Sequence, residues 1–168
     1  MFTKVFFDMD GVLADFDNGV RELCGMEPSS QGNDWKPGDD DLMWEKIRGV
    51  EHFYDKLQLM PSAKEMFDRV YEKYGENCQI LTGIPKPKRG ILTAGDDKTI
   101  WSHRLLSKDL VVNIVFREQK PDYCKGKDCI LIDDLEGNIA DWEKTGGTGI
   151  VHKNAEETIR KLMEMGAL

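Results

Sequence analysis

Five short apolar runs recur along the chain, each about the length of one strand, with helical patterns in three of the four intervals and after the last run. They are Thr3 to Met9 (TKVFFDM), Cys78 to Thr82 (CQILT), Leu110 to Phe116 (LVVNIVF), Cys129 to Asp133 (CILID) and Thr148 to His152 (TGIVH). Nearly continuous β-branched and aromatic runs, without apolar–polar alternation, describe strands buried on both faces, the condition of a parallel sheet. Helical spacing is read over Ser62 to Tyr74, where Ala63, Met66, Phe67, Val70 and Tyr74 recur on one side and Gly75 follows as a C-cap. Lys98 to Leu106, Glu136 to Thr145 and Ala155 to Met165 also read as helices, the last with Asn154 as N-cap and Glu156 and Glu157 in its first turn. Strands alternating with helices predict an α/β, doubly wound domain.

One stretch breaks this rhythm. From Asn18 to Met60 the chain carries Pro28, Ser29, Ser30, Gly32, Asn33, Pro37 and Gly38 among the aromatics Trp35, Trp44, Phe53 and Tyr54. It is predicted to be a mostly helical insertion over the sheet's edge, which divides the chain into a core (1–17 and 61–168) and a small cap (18–60). No internal repeat is present.

With 168 residues, 40% hydrophobic and 32% charged, the chain can bury a core without disulfides or a structural metal. Cys24, Cys78, Cys124 and Cys129 match neither a C-x-x-C nor a zinc pattern and read as small core residues or inert thiols. The N-terminus lacks a basic-then-apolar signal pattern, and no apolar run approaches the roughly 20 residues of a membrane span. A cytoplasmic protein without a membrane partner is the expectation. Its net charge of -8 argues against a long nucleic acid as partner, since such binding depends on many Lys and Arg contacts with phosphates. Basic residues do gather between Lys86 and Lys127, enough to hold one small anion.

Asp8-Met9-Asp10-Gly11 follows the first strand directly. In an open parallel sheet, ligands bind beyond the carboxyl ends of the strands, so Asp8 and Asp10 approach one space there. Asp133 and Asp134 end the fourth strand at the same edge. Four converging carboxylates repel unless a cation sits among them, and hard oxygen donors without His or Cys select magnesium over zinc. Thr82 and Gly83 end the second strand and offer a hydroxyl and a backbone N–H suited to phosphate oxygens. Arg117 and Lys120 follow the third, and either could bridge a nucleophile and a phosphate.

This order, D-x-D, then T, then K, then D-D, resembles the haloacid dehalogenase (HAD) superfamily over essentially the full length. The resemblance implies a HAD-like Rossmannoid core and a phosphatase. Asp8 would attack phosphorus to form an aspartyl-phosphate, and Asp10 would serve as general acid and base. Mg2+ would be held by Asp8, the carbonyl of Asp10 and the Asp133-Asp134 pair, with either member as the direct ligand. An Asp at position 10 favours phosphatase over dehalogenase chemistry.

Within the superfamily, DMDGVLADF (Asp8 to Phe16), FYDKLQLMPSA (Phe53 to Ala63), LTGIPK (Leu81 to Lys86) and ILIDD with Trp142 and GGTGIVH are similar to the 5'(3')-deoxyribonucleotidases. That likeness implies a nucleoside monophosphate as the small phosphorylated substrate. Lys86 and Lys98 would face phosphate, and Phe16, Trp44 and Tyr54 would form an aromatic wall against the base. Gly83 stands where the animal enzymes have Ser, and the motif-three lysine could be Lys120, Lys125 or Lys127. The alternatives are a phosphatase for a sugar phosphate or other small metabolite, and a non-catalytic nucleotide-binding module. A homodimer is one of the oligomeric states left open.

Overall fold

The computed structural model describes residues 1–29 and 34–168. Ser30, Gly32 and Asn33, read above as turn formers of the insertion, lie outside the described residues. Five strands, β1 (Lys4–Phe7), β2 (Cys78–Gly83), β3 (Val112–Val115), β4 (Cys129–Asp133) and β5 (Thr148–Val151), form one sheet in the order β3-β2-β1-β4-β5. Every pairing is parallel. The strands are connected through α3 (Ala63–Tyr74), α4 (Ala94–Leu105) and α5 (Glu136–Lys144), and α6 (Ala155–Glu164) closes the chain. Two shorter helices, α1 (Phe16–Cys24) and α2 (Asp41–Arg48), and a 3-10 turn, Phe53–Lys56, follow β1.

Because side chains alternate across a strand, β1 serves both faces. Val5 and Phe7 join Ile80, Ile130, Ile132 and Ile150 in the larger cluster, with Phe67 of α3, Trp101 of α4 and Leu162 of α6. Phe6 points the other way, onto Leu81, Leu131, Ile139 and Trp142. Its ring meets Trp142 edge-on at 5.7 Å and Tyr123 at 6.1 Å, an arrangement that aromatic quadrupoles favour. Both faces are therefore dry, as the unbroken apolar strands demanded.

The inserted segment shares this core. Val20, Met43, Ile47, Phe53 and Tyr54 are buried in the same cluster as Phe7 and Ile132. Trp101 of α4 donates its indole N–H to the Leu57 carbonyl at 2.8 Å, a further tie between segment and core.

Some boundaries differ from the sequence reading. Helix α4 begins at Ala94, a turn before Lys98. Gly95, Asp96 and Asp97 are weak helix formers, but acids in a first turn are favoured by the helix dipole, and Thr93 Oγ1 donates to Asp97 Oδ2 at 2.7 Å. Strands β1 and β3 are shorter than the apolar runs that contain them. Arg117–Tyr123, which contains Pro121 and to which the sequence reading assigned no element, is a 3-10 helix. The caps foreseen at Gly75 and Asn154 are present: Gly75 N–H reaches Tyr71 O, and Asn154 accepts from Glu157 N at 2.8 Å. All four cysteines are free, with Cys78 and Cys129 buried. Among the described residues no helix is long and apolar enough to cross a membrane.

Candidate active site

Chain order reverses direction about β1: the sheet grows through β2 and β3 on one side and through β4 and β5 on the other. The crevice at such a switch point is where open α/β sheets bind ligands. Phe7 pairs with Ile132, and Asp8 N–H continues the ladder to Ile132 O at 2.9 Å, so register sets Asp8 beside the end of β4. The chain then turns at once: the N–H groups of Val12, Leu13 and Ala14 all point to the Met9 carbonyl. Gly11 makes the turn with φ at +78°, and a Cβ there would lie 2.2 Å from Asp134 Oδ2. The backbone angle favours glycine, and any side chain here would also displace the Asp134 carboxylate.

Asp8, Asp133 and Asp134 each offer a carboxylate oxygen within 4.8 Å of the others. Lys120 lies among them, 3% exposed, and its ammonium donates to Asp8 Oδ1 at 2.9 Å and to Asp133 Oδ2 at 2.7 Å. The lysine in contact with Asp8 is thus Lys120, presented by the 3-10 helix after β3. Asp133 is the most heavily hydrogen-bonded of the three among the described residues. Its Oδ1 accepts Leu135 N–H at 2.9 Å, and its Oδ2 accepts Asn138 Nδ2 at 2.9 Å as well as Lys120. Arg117 Nε in turn donates to Asn138 Oδ1 at 2.6 Å. Sequence reasoning missed Asn138. Its signal was a polar residue one position before Ile139 on the inward side of α5, five residues past Asp133.

Three carboxylates against one ammonium leave an excess of negative charge in a desolvated space. Burial pushes the Asp8 carboxyl well above the usual range; Asp133 adds to this and Lys120 opposes it. Asp134 is raised likewise, by burial and then by Asp8 and Asp133. The Lys120 ammonium is held charged above its ordinary value, because Asp8 and Asp133 outweigh the cost of its own burial. A divalent cation fits this donor set: the oxygens are hard, the excess charge matches, and Asp134 makes no side-chain hydrogen bond among the described residues.

Asp10 faces elsewhere. Its carboxylate is not part of the trio; Oδ2 accepts Lys98 Nζ at 2.9 Å, and Oδ1 is buried without a partner among the described residues. Lys98, fully buried on α4, also donates to Thr82 Oγ1 at 2.9 Å and to Gly83 O at 2.7 Å, and lies 4.6 Å from the Tyr54 ring centroid. Thr82 Oγ1, as acceptor of that bond, keeps its own O–H to donate.

Other expected residues stand apart from this group. Lys86 pairs with Glu118 and lies over the Phe116 ring at 4.7 Å. Tyr54 is 1% exposed, so it underlies the aromatic series and is not an open wall. Phe16 stacks on it at 6.3 Å and meets Trp44 at 6.1 Å, and both Phe16 and Trp44 are half-buried. Asp40, itself buried, accepts the Trp44 indole N–H at 2.8 Å and Arg89 Nη2 at 3.2 Å. This link between α2 and the loop after β2 is a second feature that the sequence did not announce.

No protein-family model matches the chain, and no curated protein matches it in sequence. Solved structures do match. A HAD-superfamily hydrolase from Ehrlichia chaffeensis superposes with a TM-score of 0.56 at 12% identity, over 98% of this chain and 98% of that one. A hydrolase from Streptococcus pneumoniae gives 0.54 at 10% identity, over 97% and 98%. CbbY from Rhodobacter sphaeroides, solved with phosphate, gives 0.52 at 12% identity, over 92% and 87%. At such identities the likeness establishes the fold.

Proposed function

We propose that this chain is a Mg2+-dependent phosphatase of the HAD superfamily that hydrolyses nucleoside 5'-monophosphates, deoxyribonucleotides above all. The observation that carries the reading is the trio of buried Asp8, buried Asp133 and partly buried Asp134 with Lys120 among them, at the crevice of the sheet.

Asp8 attacks phosphorus as the bond to the leaving oxygen breaks, and Asp10 supplies that oxygen with a proton. Water then attacks the aspartyl-phosphate, Asp10 takes up its proton, and phosphate leaves with Asp8 restored. Lys120 keeps Asp8 and Asp133 in place and offsets charge on the transferring group. The Thr82 hydroxyl and the Gly83 backbone face the phosphate oxygens. Asp8 and Asp134, with the Asp10 carbonyl, would hold Mg2+, and Asp133, hydrogen-bonded by Leu135, Asn138 and Lys120, would position the lysine. The bound ion supplies charge neutralisation for the phosphoryl group.

Residues 18–60 act as the cap. The nucleotide assignment is supported by the series from Lys98 through Tyr54 and Phe16 to Trp44, which leads from the carboxylates to partly open aromatic edges. A base could stack there without a fixed hydrogen-bond pattern.

The test is phosphate release from nucleoside monophosphates, sugar phosphates and aryl phosphates, with Mg2+ and with EDTA, for the wild type and Asp8→Asn. Selective, EDTA-sensitive cleavage of deoxyribonucleotides, abolished in the folded variant, is expected. Cleavage directed at sugar phosphates would keep the mechanism and discard the nucleotide assignment. Turnover retained by Asp8→Asn would sink the aspartyl-phosphate.

A further inference from the structure

We infer that Lys98 is a positioning residue for Asp10, holding its carboxylate for proton transfer, and that it is not a ligand of the substrate phosphate. This rests on the proposed role of Asp10 as general acid and base.

The contacts of Lys98 exhaust its donors. An ammonium has three N–H groups, and those of Lys98 go to Asp10 Oδ2, Thr82 Oγ1 and Gly83 O, at 2.9, 2.9 and 2.7 Å. The residue is fully buried, and its fourth neighbour, the Tyr54 ring, closes the remaining side. No N–H is left for a phosphate oxygen.

The three acceptors belong to two strand ends: Asp10 to the turn after β1, Thr82 and Gly83 to β2. Lys98 comes from α4, which is tied to the 57–60 region through Trp101 and Leu57. The lysine therefore fixes the Asp10 carboxylate about its own side-chain torsions, by one oxygen only. The other oxygen, Oδ1, has no exposed surface and makes no hydrogen bond among the described residues, so the 27% of the Asp10 side chain that is exposed lies on its other atoms. The Lys98 contact is thus the one that holds the carboxylate.

With its carboxylate held by Lys98, Asp10 gives its proton to the leaving oxygen as the P–O bond breaks. In the second half, Asp10 takes the proton of the attacking water as oxygen bonds to phosphorus and Asp8 leaves. No further co-reactant is needed.

A positioning role and a phosphate-binding role differ in what they do to substrates of unequal leaving-group quality. An alkoxide needs a proton; a nitrophenolate leaves without one. The experiment compares wild type, Lys98→Met, Lys98→Gln, Asp10→Asn and the double variant Asp10→Asn/Lys98→Met. Substrates are a deoxyribonucleoside 5'-monophosphate and p-nitrophenyl phosphate, with inorganic phosphate as inhibitor. Both Lys98 variants are expected to lower kcat on the nucleotide about 100-fold more than on the aryl ester, the scale of general acid catalysis. KM and inhibition by phosphate should stay within a few-fold, and the double variant should be no worse than Asp10→Asn.

Equal rises in KM for both substrates, with weaker inhibition by phosphate, would make Lys98 a phosphate ligand and overturn the inference. Equal losses of kcat on both would overturn it as well. If Lys98→Met fails to fold, Lys98→Gln, which keeps a donor on a shorter stem, decides the matter by the same split. A wild type inactive on both esters would bring down the phosphatase reading and this inference together, a result separable from any variant's behaviour.

Discussion

Replacing Lys120 with Met keeps the stem's volume and removes one positive charge from between two carboxylates. The ammonium is 2.9 Å from Asp8 Oδ1 and 2.7 Å from Asp133 Oδ2, and the residue is 3% exposed. Removing one partner of a buried ion pair costs about 3–5 kcal/mol, because the remaining charge stays desolvated and unpaired. Two carboxylates lose their partner here, which favours the upper end, about 5 kcal/mol. For a chain of this length that is a fall in Tm of about 10–20 °C. The loss must depend on pH. Asp8 already sits above the ordinary carboxyl range by burial and by Asp133, with Lys120 pulling the other way; without Lys120 it rises further. A carboxyl raised in the folded state binds a proton that the unfolded chain releases, so stability falls as pH rises toward the folded value. The variant's deficit is therefore largest at pH 8 and smaller at pH 5.5. Urea unfolding in EDTA at the two pH values measures it, and Mg2+ should restore part of the loss at pH 8. A deficit below about 1 kcal/mol at pH 8 would refute the claim that Lys120 offsets this charge, and so would one unchanged by pH.

Two further outcomes follow from the same structure. Mg2+ at a hundred times its dissociation constant should stabilise the wild type by about 2.7 kcal/mol; Asp134→Asn should melt no lower than wild type in EDTA and lose most of that increment, and an undiminished increment in thermal melts would remove Asp134 from the ion's ligands. His152, buried against Thr158 and pushed down to about 4 by burial, stays neutral in the fold while the unfolded chain takes up a proton near 6.5. Its contribution is complete above 6.5 and lost as pH falls toward 4, about 3 kcal/mol in all; His152→Gln should flatten the stability profile in that window, and identical slopes would contradict it.

The strands were legible because a parallel strand buried on both faces needs an unbroken apolar run, and few other elements produce one. Asp8 and Asp133 came with them, since each ends such a run. What each carboxylate touches was not legible. The division between Asp133, hydrogen-bonded by Leu135, Asn138 and Lys120, and Asp134, which faces Gly11, depends on which way the chain turns after β4. Lys98 was expected to face phosphate, yet its partners follow from how α4 rests on the end of β2, a tertiary matter with no local pattern. The helix starting at Ala94 was hidden by Gly95 and two aspartates, and the 3-10 helix bearing Lys120 by its own proline. The link from Arg89 through Asp40 to Trp44 joins residues about fifty positions apart; only folding brings them together.

The inserted segment's side chains sit in the same buried cluster as Phe7 and Ile132. A segment built this way is not an interchangeable cassette. Excising it, or grafting another in its place, would strip apolar cover from the sheet; under the proposed function, substrate choice would then be altered residue by residue at the aromatic rim, with Phe16 and Trp44 as the first positions to vary.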